Sequence, residues 1–255
     1  MTSENPSKPK VTVIHGPISI LTMEDDSQLN LLSLEMAEAL AHEINKLQQD
    51  PDVKVLILTG SGQRAFCAGA DMRQLTQLQH VPDYVSQGQD LMYSIENFPV
   101  PTIAAINGFA LGAGFSLALA CDFRVVSQQA KMGQLAVRNG LIPPFGNIQR
   151  LIQAVGPART RELVYTGRSM SAAETLDYGL AISLSTPEGL LQAAMTLAEQ
   201  IAASPGFAIR YAKQVIETSL TQGHVIGYAA QEDALIACLE HPDSREIMLR
   251  FLDKN

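Results

Sequence analysis

The stretch VPTIAAINGFALGAGFSLALAC, residues 100–121, decides the fold, because it contains no charged side chain. Its length and apolar character alone are those of a helix that spans a membrane. Pro101 near its start and the turn dipeptide Asn107-Gly108 in its middle interrupt it, and the chain has no second run of this kind. We therefore interpret the stretch as a buried strand at 102–106, a turn, and a buried helix of small residues at 111–120.

Strand and helix patterns alternate around this stretch and predict an α/β fold. Two apolar runs flank Gly16-Pro17 as in a hairpin, and Ser33 is placed to cap a helix that ends near Gln48. Further strands are predicted at 53–59 and 123–127, and further helices at 72–78 and 83–97. This rhythm is typical of a mostly parallel sheet with helices on its faces.

The character of the chain changes after Pro157, where helical patterns follow one another. They cover residues 161–166, 171–178, 188–203, 207–220, 224–240 and 244–252. We predict an α/β core of residues 1–200 and a C-terminal helical region of residues 201–255.

Composition indicates a globular, acidic protein. The chain has 255 residues, 46% of them hydrophobic and 17% charged, which is enough for one sizeable core. Its net charge of −8 argues against binding to nucleic acid or to an anionic membrane. Cys67, Cys121 and Cys238 show no paired spacing, the histidines show no metal-ligand spacing, and the first residues are polar. We expect reduced thiols, no metal site and a cytoplasmic location.

Two glycine-containing loops carry the functional signal. Residues 65–71 (AFCAGAD) and 107–114 (NGFALGAG) each follow a strand and enter a helix, and neither places a bulky side chain over the backbone amides. The first N–H groups of a helix have no partner within it and lie at its positive end. Two such ends that converge can bind an oxyanion. The alternative interpretation is two strand-to-helix turns that merely pack tightly.

A serine nucleophile is a competing hypothesis. Gly114-Phe115-Ser116-Leu117-Ala118 is one residue away from the GxSxG nucleophile motif. No histidine lies between residues 81 and 223, so a base for Ser116 would have to come from a distant part of the chain. We keep Ser116 as a candidate catalytic residue.

These loops, in this order, make the sequence resemble the crotonases, the enoyl-CoA hydratase/isomerase superfamily. Further matching segments are Leu29-Asn30-Leu31-Leu32, Cys121-Asp122, Gly133-Gln134, Gln149-Arg150-Leu151, Thr166-Gly167-Arg168 and Gly179-Leu180. The resemblance implies a spiral of ββα units and a C-terminal trimerisation region, so that the protein would be a homotrimer or a dimer of trimers. It implies an acyl-CoA thioester as substrate, with coenzyme A part of that substrate and no bound cofactor.

The resemblance also implies roles for residues of the two loops. By position, the amides of Ala70 and Ala113 form the oxyanion hole for the thioester carbonyl. Ala68, Asp71 and Met72 form the wall on the CoA side. The other expected substrate-binding residues are Gly69, Gly112, Ala136, Pro143 and Pro144.

The departures from the family pattern concern acid–base groups. Hydratases of this family use two glutamates, and the corresponding positions are Ser116 and Ala136. Dienoyl isomerases add an aspartate, where this chain has Pro144. The neighbouring Pro143 and Phe145 are bulkier than the usual small residues, which predicts a narrow, dry pocket. We expect an enzyme of lyase, isomerase or decarboxylase type that acts through the enolate, with little hydratase activity.

The acid–base groups that could replace the glutamates are open at this stage. The candidates are His80, Glu96, Arg138, Asn139 and Asn147. A second hypothesis is a non-catalytic acyl-CoA-binding homologue, and a third is a Ser116-dependent thioester hydrolase.

Overall fold

The computed structural model describes residues 9–77 and 79–253 of the chain. The strands are β1 Lys10–Ile14, β2 Ile18–Glu24, β3 Val55–Gly60, β4 Ala65–Cys67, β5 Thr102–Ile106, β6 Phe109–Leu111, β7 Phe123–Ser127, β8 Lys131–Gly133, β9 Ser169–Ser171 and β10 Ser183–Ser185. The α-helices are α1 Leu34–Gln48, α2 Met72–Leu75, α3 Val81–Glu96, α4 Ala113–Ala120, α5 Asn147–Thr166, α6 Ala172–Asp177, α7 Leu190–Ala202, α8 Gly206–Gln222, α9 His224–Glu240 and α10 Ser244–Leu252. A 3-10 helix covers Ala136–Asn139.

The strands form two sheets that the chain visits in turn. The first sheet has the order β1-β2-β3-β5-β7-β10, and the second has the order β4-β6-β8-β9. In each turn of the chain a strand of the first sheet is followed by a short strand of the second and then by helix: β3, β4 and α2; β5, β6 and α4; β7, β8 and α5. The fold is therefore the crotonase-like spiral of ββα units that the sequence predicts.

Local sequence signals are confirmed where they are strong. β1 and β2 pair antiparallel around Gly16-Pro17, and the Ser33 hydroxyl accepts a hydrogen bond from the Met36 N–H at 3.2 Å as the cap of α1. The strands predicted at 102–106 and 123–127 and the last two helices have the predicted bounds.

Hydrophobic side chains of the first sheet are buried on both of its faces. Leu56 and Leu58 of β3 belong to a cluster with α1, α3 and α4, whereas Val55 and Ile57 pack with α7 on the opposite face. Because successive side chains of a strand point to opposite faces, a strand covered on both sides reads as an unbroken apolar run. Within the stretch 100–121, β5 is buried in this way, whereas Phe109 is 40% exposed. No helix in the described part of the chain could cross a membrane.

Three sequence predictions were wrong in detail. The helix predicted at 111–120 begins at Ala113, because residues 109–111 form β6 and Gly112, at φ +54°, separates the two. Residues 147–160 of α5 were not predicted, because a kink at Gly156 and Pro157 breaks the helical pattern. The helix predicted at 72–78 is α2, which ends at Leu75, and Leu78 lies outside the described residues.

The C-terminal helices contact the core through charged and polar groups. The Lys213 ammonium of α8 is buried, donates to the Asp122 carboxylate at 2.7 Å and also donates to the Val100 carbonyl at 3.2 Å. Asp122 in turn accepts from the Thr102 N–H at 2.6 Å. The middle of α8 is thereby fixed to the start of β5 and to the segment that follows α4, and the division at residue 200 stays a prediction.

Candidate active site

The two glycine-containing loops lie side by side because the strands before them pair. β4 and β6 are parallel neighbours, with Ala65 opposite Phe109 and Cys67 opposite Ala110. A Cβ added to Gly69 would lie 3.3 Å from the Leu111 carbonyl oxygen. A Cβ added to Gly114 would lie 1.9 Å from the Cys67 carbonyl oxygen, a distance that only glycine permits. The small residues therefore permit close approach of two backbones.

Each loop presents a backbone N–H that has no partner within residues 9–77 and 79–253. Ala113 is the first residue of α4, where a helical N–H has no acceptor within its own helix, and it is 2% exposed. Ala70 forms a parallel bridge with Leu32, whose N–H donates to the Gly69 carbonyl at 2.8 Å. Among the residues that the structure describes, neither the Ala70 N–H nor the Ala113 N–H donates a hydrogen bond. Two donors on adjoining loops are what an oxyanion requires.

A third strand brings the next segment to the same place. β8 pairs with β6, and the Gly112 N–H donates to the Gly133 carbonyl at 3.0 Å. The buried Gln134 amide donates to the Gly112 carbonyl and accepts from the Ala136 N–H, each at 3.3 Å. Ala136, at the start of the 3-10 helix, is therefore held beside the second loop without supplying an acid or a base.

Ser116 is a buried, hydrogen-bonded hydroxyl. It has no exposed surface, and its Oγ lies 3.1 Å from the Pro144 carbonyl oxygen and 3.3 Å from that of Gly112, either of which accepts its proton. The Asn147 amide donates to the same oxygen at 3.2 Å. None of these partners is a base. The Asn147 Oδ1 is buried and has no partner within residues 9–77 and 79–253.

The remaining expected substrate-binding residues surround the loops. Asp71 caps α2 by accepting from the Arg73 N–H at 2.9 Å, Ala68 is half-buried and Met72 is 46% exposed. Pro143 is buried and Pro144 half-buried, in the turn before α5. The structure thus brings these residues to one edge of the second sheet, at the ends of β4, β6 and β8.

The other candidate acid–base groups have partners elsewhere. Glu96 forms a two-point ion pair with the buried Arg150, at 2.8 and 2.7 Å. His80 lies 3.0 Å from Asp83 on the surface, and the Arg138 guanidinium donates to the Thr166 carbonyl. Asn139 is exposed. Of these five candidate residues, Asn147 alone hydrogen-bonds to Ser116.

Cys67 is not an activated nucleophile. Its thiol is fully buried, and burial raises its pKa to about 11, although hydrogen bonds with the Gly69 and Leu32 backbone oppose this. A thiol with so high a pKa is protonated at neutral pH, and it is the thiolate that attacks.

Sequence reasoning missed two contributors to the geometry. Gln134 ties the second loop to Ala136, and the segment 29–32 fixes the first loop, since the Ala68 N–H donates to the Leu29 carbonyl at 2.9 Å. Both lie in segments that match the family pattern, but only the folded chain shows the contacts they make.

Comparisons with known proteins agree with this fold. The family model for enoyl-CoA hydratase/isomerase matches residues 14–255. A crotonyl-CoA hydratase of Syntrophomonas wolfei is 33% identical, over 93% of this chain and 92% of its own length. A short-chain-enoyl-CoA hydratase of Clostridium acetobutylicum is 30% identical, over 94% of this chain and 92% of its own length.

A solved structure gives the same result. The crystal structure of an enoyl-CoA hydratase from Bacillus anthracis superposes with a TM-score of 0.92 at 34% identity, covering 98% of this chain and 97% of that one.

Proposed function

Because this chain belongs to the enoyl-CoA hydratase/isomerase family, we propose that it binds an acyl-CoA thioester with its carbonyl oxygen between the N–H groups of Ala70 and Ala113. The observation that carries the proposal is the pair of unpartnered N–H groups on adjoining loops. When negative charge develops on the thioester oxygen, these two N–H groups would donate hydrogen bonds to it without any rearrangement of the loops. Donors of this kind contribute about 3–4 kcal/mol each to the transition state in comparable sites.

The proposed chemistry proceeds through the enolate and uses no carboxylate base. Ser116, Ala136 and Pro144 stand where the family resemblance implies acids, and no titratable group in the described part of the chain hydrogen-bonds to Ser116. A reaction that begins with proton abstraction therefore lacks its usual base. Decarboxylation of a malonyl-type thioester does not need one.

The decarboxylation step balances without any further co-reactant. The bond between Cα and the carboxylate carbon breaks, and its electron pair enters the thioester to form the enolate. Carbon dioxide leaves, the Ala70 and Ala113 N–H groups donate to the enolate oxygen, and Cα is then protonated from water. The buried, apolar surroundings favour loss of the charged carboxylate.

We expect this chain to hydrate enoyl-CoA more slowly than the relatives that are named hydratases. We predict that hydration of crotonyl-CoA is slower than in a glutamate-containing hydratase by at least the factor of about 10²–10⁴ that general acid–base groups supply. Steady-state assays with crotonyl-CoA and malonyl-type thioesters test this. A crotonyl-CoA turnover of hundreds per second, within the usual enzyme range, would contradict the proposal.

A second candidate is a non-catalytic acyl-CoA binder. It is favoured by the same lack of an acid or base around Ser116 and Ala136. Calorimetry with acyl-CoA and product analysis by mass spectrometry separate the two hypotheses: binding without any conversion supports the second.

The Ser116-dependent hydrolase has less support. The hydroxyl is buried and its partners are two carbonyl oxygens and an amide. Incubation with a serine-directed fluorophosphonate, followed by peptide mass spectrometry, distinguishes it. Labelling at Ser116 in the folded protein would restore the hydrolase hypothesis.

A further inference from the structure

The Phe145 side chain fills the space between α3 and the turn before α5. The ring is 5% exposed, and its centroid lies 5.7 Å from that of Tyr84 on α3. A Cβ added to Gly88, one turn further along α3, would lie 2.2 Å from the ring. The helix can therefore carry only glycine at residue 88 while the Phe145 ring occupies this position.

The backbone of Phe145 is held in a costly conformation. Its φ is +60°, in the left-handed region, which is uncommon for a residue other than glycine. Pro143 and Pro144 precede it, and its carbonyl accepts from the Arg150 guanidinium at 2.7 Å. Arg150 is buried and is itself held by Glu96. Such strain persists only where the surrounding contacts over-determine it, and it occurs often at ligand-binding sites.

The ring also lies next to the oxyanion loops. The Pro144 carbonyl, one residue before Phe145, lies 3.1 Å from the Ser116 Oγ, and Ser116 is one turn after Ala113 on α4. On the other side, burial and the proximity of the Cys67 thiol raise the pKa of Tyr84 to about 12. Cys67 is three residues before Ala70. The Phe145–Tyr84 pair is therefore an uncharged aromatic cluster whose neighbours, Ser116 and Cys67, belong to the segments that carry the two donors.

Resting on the proposed binding of acyl-CoA, we propose that Phe145 sets the length of the acyl chain by closing the pocket beyond the oxyanion hole. The Phe145 ring occupies the space that a longer acyl chain needs, and its contacts with α3 and within the turn hold it there. Gly88 already touches one edge, and the turn is fixed through Arg150. The substrate class is then a short acyl thioester, and octanoyl-CoA binds no more tightly than butyryl-CoA.

The test is the affinity of the protein for saturated acyl-CoA thioesters of increasing length, measured by calorimetry for the full chain and for Phe145→Gly. Glycine suits a φ of +60°, so the substitution removes the ring and relieves the backbone strain together. In a pocket that stays open, each buried methylene strengthens binding by about fourfold. We expect no gain from butyryl to octanoyl in the native protein and a gain of tenfold or more in Phe145→Gly.

Two further variants keep the result interpretable. Phe145→Leu preserves an apolar core and should fold if the glycine variant does not, and we expect its octanoyl affinity to rise at least threefold. Tyr165→Ala removes an aromatic side chain that is 75% exposed on α5 and serves as the control with an unchanged profile.

The outcomes separate the inference from the proposed function. Equal length profiles in the native protein and in folded Phe145 variants would overturn the role of Phe145 and leave acyl-CoA binding intact. Octanoyl-CoA that binds the native protein more tightly than butyryl-CoA would also overturn it. If no acyl-CoA binds the native protein at any length, the proposed function is wrong and this inference with it.

Discussion

At the scale of the single residue, the proposed site relies on backbone atoms more than on side chains. Ala70 and Ala113 offer no side-chain functional group, and their N–H groups donate no hydrogen bond among the described residues. Ser116 has the side chain most familiar as a nucleophile, but its hydroxyl belongs to a buried hydrogen-bond cluster with Asn147. Substitutions should therefore be judged by what they do to an N–H group rather than by the side chain they remove.

Ala113 allows this to be tested directly. We expect Ala113→Pro to lose acyl-CoA binding or turnover, because proline has no N–H, while proline at the first position of a helix leaves α4 intact. Ala113→Ser keeps the N–H and adds little volume, so it should be nearly neutral. Melting temperature and acyl-CoA affinity are measured for both.

The competing interpretation makes Ala113 a simple buried packing residue. In that case serine would be as harmful as proline, since both change a side chain that is 2% exposed. Full binding by a folded Ala113→Pro protein would refute the oxyanion assignment of this residue.

Cys67 makes stability depend on pH in the alkaline range. Burial raises its pKa to about 11, whereas a thiol in an unfolded chain has a pKa of about 8.5. The unfolded state therefore loses its proton first, and the contribution of Cys67 is fully present below about pH 8.5 and is lost as the pH rises towards 11. We expect the melting temperature to fall over this window, and to fall less in Cys67→Ala.

The change of melting temperature with pH, compared between the native protein and Cys67→Ala, isolates the contribution of the Cys67 thiol. Cys121, whose pKa burial raises to about 12, is present in both proteins and contributes equally to both curves. Parallel curves for the native protein and Cys67→Ala would show that Cys67 does not titrate in the way its burial predicts.

At the scale of the element, α4 and β4 are joined by a contact between backbones. Helix α4 is buried along its whole length, and its second residue, Gly114, faces the Cys67 carbonyl at a distance that excludes a Cβ. The same contact places the Ala113 N–H beside the first loop. The stability of the core and the geometry of the site therefore depend on one glycine.

Gly114→Ala should destabilise the protein by about 3 kcal/mol or more, since the inserted methyl group meets backbone rather than a flexible side chain. Gly206→Ala is the matched control: it also lies within the first two residues of a helix, and a Cβ there would meet nothing within 4 Å. Chemical denaturation measures both. A Gly114→Ala protein as stable as Gly206→Ala would mean that the loops are further apart.

At the scale of the whole molecule, the C-terminal helices expose more apolar surface than a monomer needs. Large side chains that are half or more exposed on α8 and α9 are Ile216, Leu220, Val225, Tyr228, Leu235, Ile236 and Leu239. Apolar patches of this kind mark surfaces that contact another protein. A second copy of the chain is the occupant that the family resemblance implies.

We therefore expect a trimer or a dimer of trimers, measured by light scattering at micromolar concentration. Substituting glutamate for both Leu235 and Leu239, which are 58% exposed each, should lower the mass towards that of a monomer, because like charges would then meet in the interface. A monomeric mass of 27.5 kDa for the native protein would contradict the prediction.

The longer elements and the residue types at the candidate acid–base positions can be read from the chain alone. Hydrophobic periodicity and the Ser33 cap locate α1, and apolar runs locate β3, β5 and β7, because such signals are local. The absence of acids at Ser116, Ala136 and Pro144 is also a property of the sequence alone. The same is true of the two glycine-containing loops and of their order along the chain.

How these parts meet depends on contacts between segments that are far apart in the chain. β4, β6 and β8 have three residues each, too few for any periodicity, and they are defined by hydrogen bonds between segments far apart in sequence. Their pairing sets the two glycine-containing loops side by side, and the N–H groups of Ala70 and Ala113 have no partner among the described residues. It is likewise through space that Phe145 meets Gly88. Contacts of this kind depend on distances between distant backbones, and no local pattern of side chains records them.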